Sequence, residues 1–341
     1  GNSKPGKLAD PKEKPAEEMK PKTPSNLTDT RELMAGAATL ANGDAVGLMK
    51  SAMQPTLRRT NLPEAQWISL AQEKPVLIND TVIALPGCYS ELELLESVRI
   101  KLHGFCKIDL KKNEGEILPL IMIRHGLVRF DNLKDPNNTV DISIGNRKIQ
   151  ITFVDQNSQF VANSTQTLTS TGFRPVIQVA AVTGRMLCKF DGEVISVEEN
   201  EMLVIDTEKH ETTAFKSVPS KLTNKPSTLD TSAKEVFFSL SLENPVFKVA
   251  AEKAMSDNRP YVRKFAACSS LALGNINSLI SFLKDDDNKS FWRDGILLTR
   301  ELALTDPDFR NGLETFCKNP RSTPGGSSLN PETLATWLGF L

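Results

Sequence analysis

Three histidines, His103, His125 and His210, are the residues best suited to metal or acid–base chemistry, and no two are spaced i, i+2 or i, i+4. Those are the separations at which a strand or helix offers two imidazoles to one ion. The reading is that none is a metal ligand and that His103, on the polar side of its strand, faces solvent. The five cysteines, Cys88, Cys106, Cys188, Cys268 and Cys317, lie far apart, without the C-x-x-C spacing of a zinc or redox site. Most read as core residues; their odd number argues against a full disulfide framework and favours a reducing compartment, with two bridges and one free thiol still allowed outside the cytoplasm. Glu91/Glu93 and Glu198/Glu199 have the residue types of a glycosidase, which needs two carboxylates ~5–10 Å apart. Adjacent acids on strands more commonly form solvated edges that resist aggregation. Asp285, Asp286 and Asp287 lack the EF-hand spacing and its terminal Glu. No G-x-S-x-G, G-x-x-x-x-G-K-S/T or G-x-G-x-x-G occurs, which removes the usual signatures of a nucleophile elbow and of a phosphate cradle. The expectation is a protein that is not an enzyme, with no catalytic, cofactor-binding or metal-binding residue and no cofactor. Sequons at Asn26, Asn79, Asn137 and Asn163 matter only in a glycosylating secretory pathway.

Two kinds of element must position these residues, because the hydrophobic period changes once along the chain. From about Trp67 to Phe215 apolar and polar residues alternate in short runs, as in Val98, Ile100 and Leu102 against Arg99, Lys101 and His103. Turn signals separate the runs, and Asp191-Gly192 between Met186–Phe190 and Val194–Val197 is the strongest hairpin signal. No helix-length pattern interrupts this region, which disfavours a parallel Rossmann-type sheet. From Glu235 to Leu341 the spacing becomes helical. Asn244-Pro245, Asn258 before Pro260, Asp306-Pro307 and Asn330-Pro331 each set a capping side chain ahead of a proline that fits the first helical turn. The fold class expected is an antiparallel, solenoid-like β domain followed by an all-α, HEAT-like helical bundle, each with its own core.

The expected organisation is a disordered Lys/Pro-rich tether over 1–28, short helices within 29–58, a β domain over 59–218, a linker over 219–234 and a helical domain over 235–341. In the tether, Pro5, Pro11, Pro15, Pro21 and Pro24 alternate with charged residues, and too little apolar surface is present to offset backbone ordering at ~1–2 kcal/mol per residue. The short helices run from Thr28 or Asp29 to Leu40 and from Ala45 to Met53. The helical stripes include Phe265 and Trp292, whose truncation to Ala carries ~3–5 kcal/mol. The 41 basic and 42 acidic side chains leave a net charge of -1, with no basic, aromatic-interleaved stretch, so nucleic acid is excluded as a partner. No run reaches the ~18–20 apolar residues that span a bilayer. The chain starts at Gly1 rather than Met, and an upstream segment carrying a membrane anchor is expected.

Several strand motifs occur in a fixed order: Ile78-Asn79-Asp80-Thr81-Val82; Glu91-Leu92-Glu93-Leu94 followed by Val98-Arg99-Ile100-Lys101-Leu102; Arg124-His125-Gly126-Leu127-Val128-Arg129-Phe130; and Val182-Thr183-Gly184-Arg185-Met186 leading to Asp191-Gly192-Glu193-Val194-Ile195-Ser196-Val197. Over roughly residues 66–206 this order resembles the FecR-like domain, the extracytoplasmic part of ferric-citrate-type regulators. Asn79 stands where Gly is usual, and Glu199-Asn200 replaces the customary closing Gly. Joined to a Lys/Pro tether and a helical region, the block is similar to membrane-anchored proteins of planctomycete-type bacteria. The resemblance implies a non-enzymatic regulatory or scaffold protein on the periplasmic side of the cell envelope. Its membrane contact would come only from the upstream transmembrane helix, and it would bind a protein partner there. A carbohydrate-binding or glycan-processing β domain is the alternative, with Trp67, Tyr89 and Phe173 as the aromatics available for sugar stacking.

Overall fold

Alternating side chains order the strands through the middle of the chain. Val98, Ile100 and Leu102 are fully buried, while Arg99 and Lys101 project to the other, partly solvated face. The computed structural model describes residues 44–52, 54–60, 66–134, 136–145, 147–169, 172–206, 211–223, 231–278 and 289–318. The expected tether, the helix before Leu40, His210, the Asp285–Asp287 run and the Asn330-Pro331 start lie outside the described residues, as does the Trp292 side chain. Sixteen strands form one sheet, and helices follow it. The order β then α is as expected. All described pairings are antiparallel except a short parallel contact, Ile121 beside Ile142 and Met122 beside Ser143, so the successive parallel coils of a solenoid are not borne out.

A long, bent hairpin organises the sheet. Its strands are β7 (Val98–Lys111) and β8 (Leu120–Asn132). Strand β6 (Tyr89–Leu94) pairs along the first half of β7, and β5 (Asp80–Ala84) along the second. Between these halves the β7–β8 register slips, from His103 to Lys107. At the slip Gly104 and Gly126 have φ of +63° and +89°. A Cβ on Gly126 would lie 2.5 Å from the Phe105 carbonyl oxygen, so only glycine fits this bulge.

Downstream, β9 (Thr139–Ile144), β10 (Arg147–Phe153), β11 (Gln159–Thr169), β12 (Gly172–Thr183), β13 (Met186–Phe190), β14 (Glu193–Val197), β15 (Met202–Asp206) and β16 (Glu211–Phe215) extend the sheet. The spatial order is β14-β13-β10-β9-β8-β11-β12-β15-β16. The predicted β13–β14 hairpin is present. Asp191 and Gly192 have φ of +48° and +88°, the left-handed pair that a tight two-residue turn needs to match strand twist.

Residues Ala45–Met53, expected as a helix, instead contribute the strand β1 (Ala45–Met49). Its backbone pairs with Pro75–Leu77 (β4) on one side and with β6 on the other. Val46, Leu48 and Met49 are buried, so long-range pairing overrides the helix-forming bias of Ala, Leu and Met. Strands β2 (Thr56–Thr60) and β3 (Ile68–Ser69) complete this flank.

Among the described residues the helices are α1 (Ser220–Thr223), α2 (Thr231–Glu243), α3 (Phe247–Met255), α4 (Pro260–Ala272), α5 (Lys289–Thr305) and α6 (Pro307–Lys318). Both α1 and the start of α2 fall in the stretch expected as a linker. At α6 the predicted start holds: the Asp306 Oδ1 accepts the Phe309 N–H at 3.2 Å. At α4, Pro260 occupies the first turn but Asn258 provides no cap, and the Asp257 carboxylate accepts the Arg259 N–H instead. The helix after Asn244-Pro245 begins only at Phe247. Ser69 N–H donates to the Pro245 carbonyl at 2.7 Å and Phe247 N–H to the Trp67 carbonyl at 2.9 Å, an antiparallel bridge that ties this segment to β3.

The helices do not enclose a core of their own. Leu57, Ile83 and Phe105 from the strands, with Leu85 and Cys88 from the β5–β6 connection, belong to the same buried cluster as Phe237, Phe247, Val262, Phe265, Leu302 and Phe309. A second cluster lies within the sheet, around Ile100, Phe130, Phe153 and Phe160. The expectation of a separately packed, HEAT-like bundle is therefore not borne out.

Candidate functional site

The bulge in the β7–β8 hairpin brings chemistry-bearing residues to the junction of sheet and helices. By opening the register, Gly104 and Gly126 turn Phe105 and His125 toward the helices, where Asp306 arrives from the α5–α6 connection. His125 is fully buried, and its ring stacks on Phe105 with centroids 4.1 Å apart. Its Nδ1 lies 3.6 Å from Asp306 Oδ2, beyond hydrogen-bond reach, and neither ring nitrogen has a hydrogen-bond partner among the described residues. Burial first, and the Lys107 cation second, lower its pKa to about 3. The imidazole is therefore neutral at physiological pH, and its contact with Asp306 is not an ion pair.

Beside this cluster a pocket of about 350 Å³ opens between strands and helices, lined by Arg59, Lys107, Asp109, Arg124, Ser143 and Asp306 among others. Asp109 is held from two directions: Thr81 Oγ1 donates to Oδ1 at 2.7 Å, and Arg124 Nε donates to Oδ2 at 2.7 Å. The Arg59 guanidinium lies over the Trp67 ring, 4.8 Å from its centroid. This arrangement can receive an anion. It provides no nucleophile held by a base.

Other residues singled out in the sequence play local roles. His103 is buried rather than solvent-facing, edge-on to Tyr89 at 4.9 Å; at the bulge even the outward side of β7 is covered. Glu93 pairs with Arg99 at 3.2 Å. Glu198 accepts the Ser196 hydroxyl at 3.0 Å and Glu199 accepts the Gly184 N–H at 3.1 Å, so this pair fixes a turn. Trp67 has one ring face under Arg59 and packs against the shared core. Tyr89 is half-buried against His103, and the side chain of Phe173 lies outside the described residues. No disulfide joins the five cysteines, and burial pushes Cys88 and Cys188 up to about 12, which keeps these thiols protonated. Among the described residues no three His, Cys, Asp or Glu side chains gather as a metal site, and no helix is long and apolar enough to cross a membrane.

No local pattern in the chain links His125 to Asp306, which are far apart in sequence. The one local signal was the glycine after His125, which marks a bulge without saying what covers it.

The sheet also presents open edges. Among the described residues β14 pairs only with β13 and β16 only with β15. Val194 on β14 is 59% exposed and Phe215 on β16 is 44% exposed.

No family model matches the chain, and no curated protein matches it. Two crystal structures of a candidate anti-sigma factor from Parabacteroides distasonis, at 1.65 and 2.50 Å resolution, are similar with a TM-score of 0.33 and 12% identity, over 42% of this chain and 62% of that one. The chain thus spans less than two thirds of that protein, and a likeness of this depth assigns no family.

Proposed function

We propose that the protein is a non-enzymatic regulatory or scaffold protein on the extracytoplasmic side of the cell envelope, and that it binds another protein by strand addition at β14. The observation that carries this reading is the open β14 edge. Val194, Ile195 and Val197 are β-branched, the strand contains no Pro, Lys or bulge, and Val194 is well exposed. Natural sheets usually blunt such edges, and an open one is a template for an extended segment of a partner. Glu193 opens the strand and Glu198 follows it, which fits a partner segment with an apolar residue opposite Val194 and basic residues at its ends. The envelope location rests on the strand order that resembles FecR-like domains and on the Lys/Pro-rich N-terminal composition.

Crosslinking in intact cells followed by envelope fractionation tests the reading. The wild-type protein should sit in the envelope fraction with a partner attached, and partner contact should slow hydrogen exchange of the β14 amides. Val194→Lys, at an exposed position, should cut partner recovery at least tenfold, whereas Thr213→Lys on β16 should leave it unchanged. Equal recovery with Val194→Lys, or a protein confined to the cytosol, would refute the proposal.

A further inference from the structure

The geometry points to the junction pocket as a binding site for a small monocarboxylate, received by Lys107 and Arg59. Charge accounting selects these two groups. The lining holds three cations, Arg59, Lys107 and Arg124, against two carboxylates, Asp109 and Asp306. Asp109 is committed to Arg124 and Thr81, so that pair is internally neutral. Asp306 gives one oxygen to the Phe309 N–H at the start of α6 and turns the other toward His125. No described carboxylate forms an ion pair with Lys107 or Arg59. Lys107 is instead a half-buried ammonium opposite His125 across the β7–β8 pair, lining the pocket with no described carboxylate paired to it.

The size and walls of the site narrow the class of anion. At about 350 Å³ the pocket is at the small end of ligand sites, which run ~300–1,000 Å³. Met122 and Ile123 add an apolar wall and Ser143 a hydroxyl, which suits a short aliphatic or hydroxylated tail. The walls carry one net positive charge. A single negative charge balances it, whereas a phosphate dianion would leave one unbalanced negative charge beside the carboxylates of Asp109 and Asp306. A planar carboxylate matches the Arg59 fork, with Lys107 as a point charge beside it. The same group can come from a free acid or from the C-terminus of a peptide.

Isothermal titration of the full chain with butyrate, with a short peptide bearing a free C-terminus, with its C-terminally amidated form and with inorganic phosphate distinguishes these sources. Saturable binding of butyrate or of the free-terminus peptide supports the proposal, the responsive probe identifying the source, provided that the amidated peptide binds at least tenfold more weakly than its acid. Lys107→Gln and Arg59→Gln should each weaken binding at least tenfold with an unchanged circular dichroism spectrum, and Lys107→Arg should restore most of it. Lys189→Gln, on an exposed part of β13, and Val194→Lys should leave it unchanged, which separates this site from the strand edge. Absence of saturable carboxylate binding, phosphate binding more tightly than butyrate, or full affinity in both Lys107→Gln and Arg59→Gln would overturn the assignment.

Discussion

A neutral imidazole buried at His125 makes the folded state sensitive to acid. Its folded pKa is lowered to about 3 by burial and by Lys107, whereas an unfolded histidine titrates near ~6.5. Between those values the unfolded chain takes up a proton that the folded chain does not. Stability from this residue is therefore complete above the unfolded value and declines as pH falls, by ~1.4 kcal/mol per pH unit across the window. Urea unfolding at pH 7 and pH 5 should show a loss larger by ~2 kcal/mol in the wild type than in His125→Leu, since the carboxylates are common to both; equal losses would place the imidazole in solvent. Gly126 is a second sensitive position. Gly126→Ala forces a Cβ to within 2.5 Å of a backbone oxygen at φ +89°, where conformational strain alone costs ~1–3 kcal/mol. Gly145→Ala, at φ +59° with nothing within 4 Å, should lose less, and paired thermal melts measure the difference. Neither residue's partner was legible in the sequence, because Phe105 and Asp306 reach the site through a strand bulge and a helix junction.

Elements set by short-range chemistry were readable, and those set by partners were not. The β13–β14 turn depends on Asp191 and Gly192 adopting positive φ, a property of two adjacent residues. The Asp306 cap likewise needs only a carboxylate three residues ahead of an N–H. Segment Ala45–Met49 is a strand because β4 and β6 flank it, and α3 starts late because Ile68 and Val246 form a bridge. In α4, Phe265 is 1% exposed and meets Phe237 edge-on at 5.2 Å. Phe265→Ala should lower unfolding free energy by ~3–5 kcal/mol, and a loss under about 1 kcal/mol in denaturant titration would show that the site collapses around the gap.

At the scale of the whole molecule, the core that joins Ile83 and Phe105 of the sheet to Phe237 and Phe265 of the helices couples the two parts. Unfolding should therefore be one cooperative transition, with Trp67 fluorescence, read in a chain carrying Trp292→Phe and Trp337→Phe, and the helical circular dichroism signal changing together. Ile83→Ala on β5 should shift both by the same amount, and two separated transitions would restore independent domains. The sequence by itself determined the change from alternating to helical period, the strand faces, the tight turn and the helix start at Asp306, since each is written in residues a few positions apart. Only the tertiary structure decided what covers those faces: the joint core, the burial of His103 and His125, and the charged pocket at the bulge. Periodicity marks a side as apolar, but the partner that buries it comes from distant chain, and no local pattern specifies which segment that is.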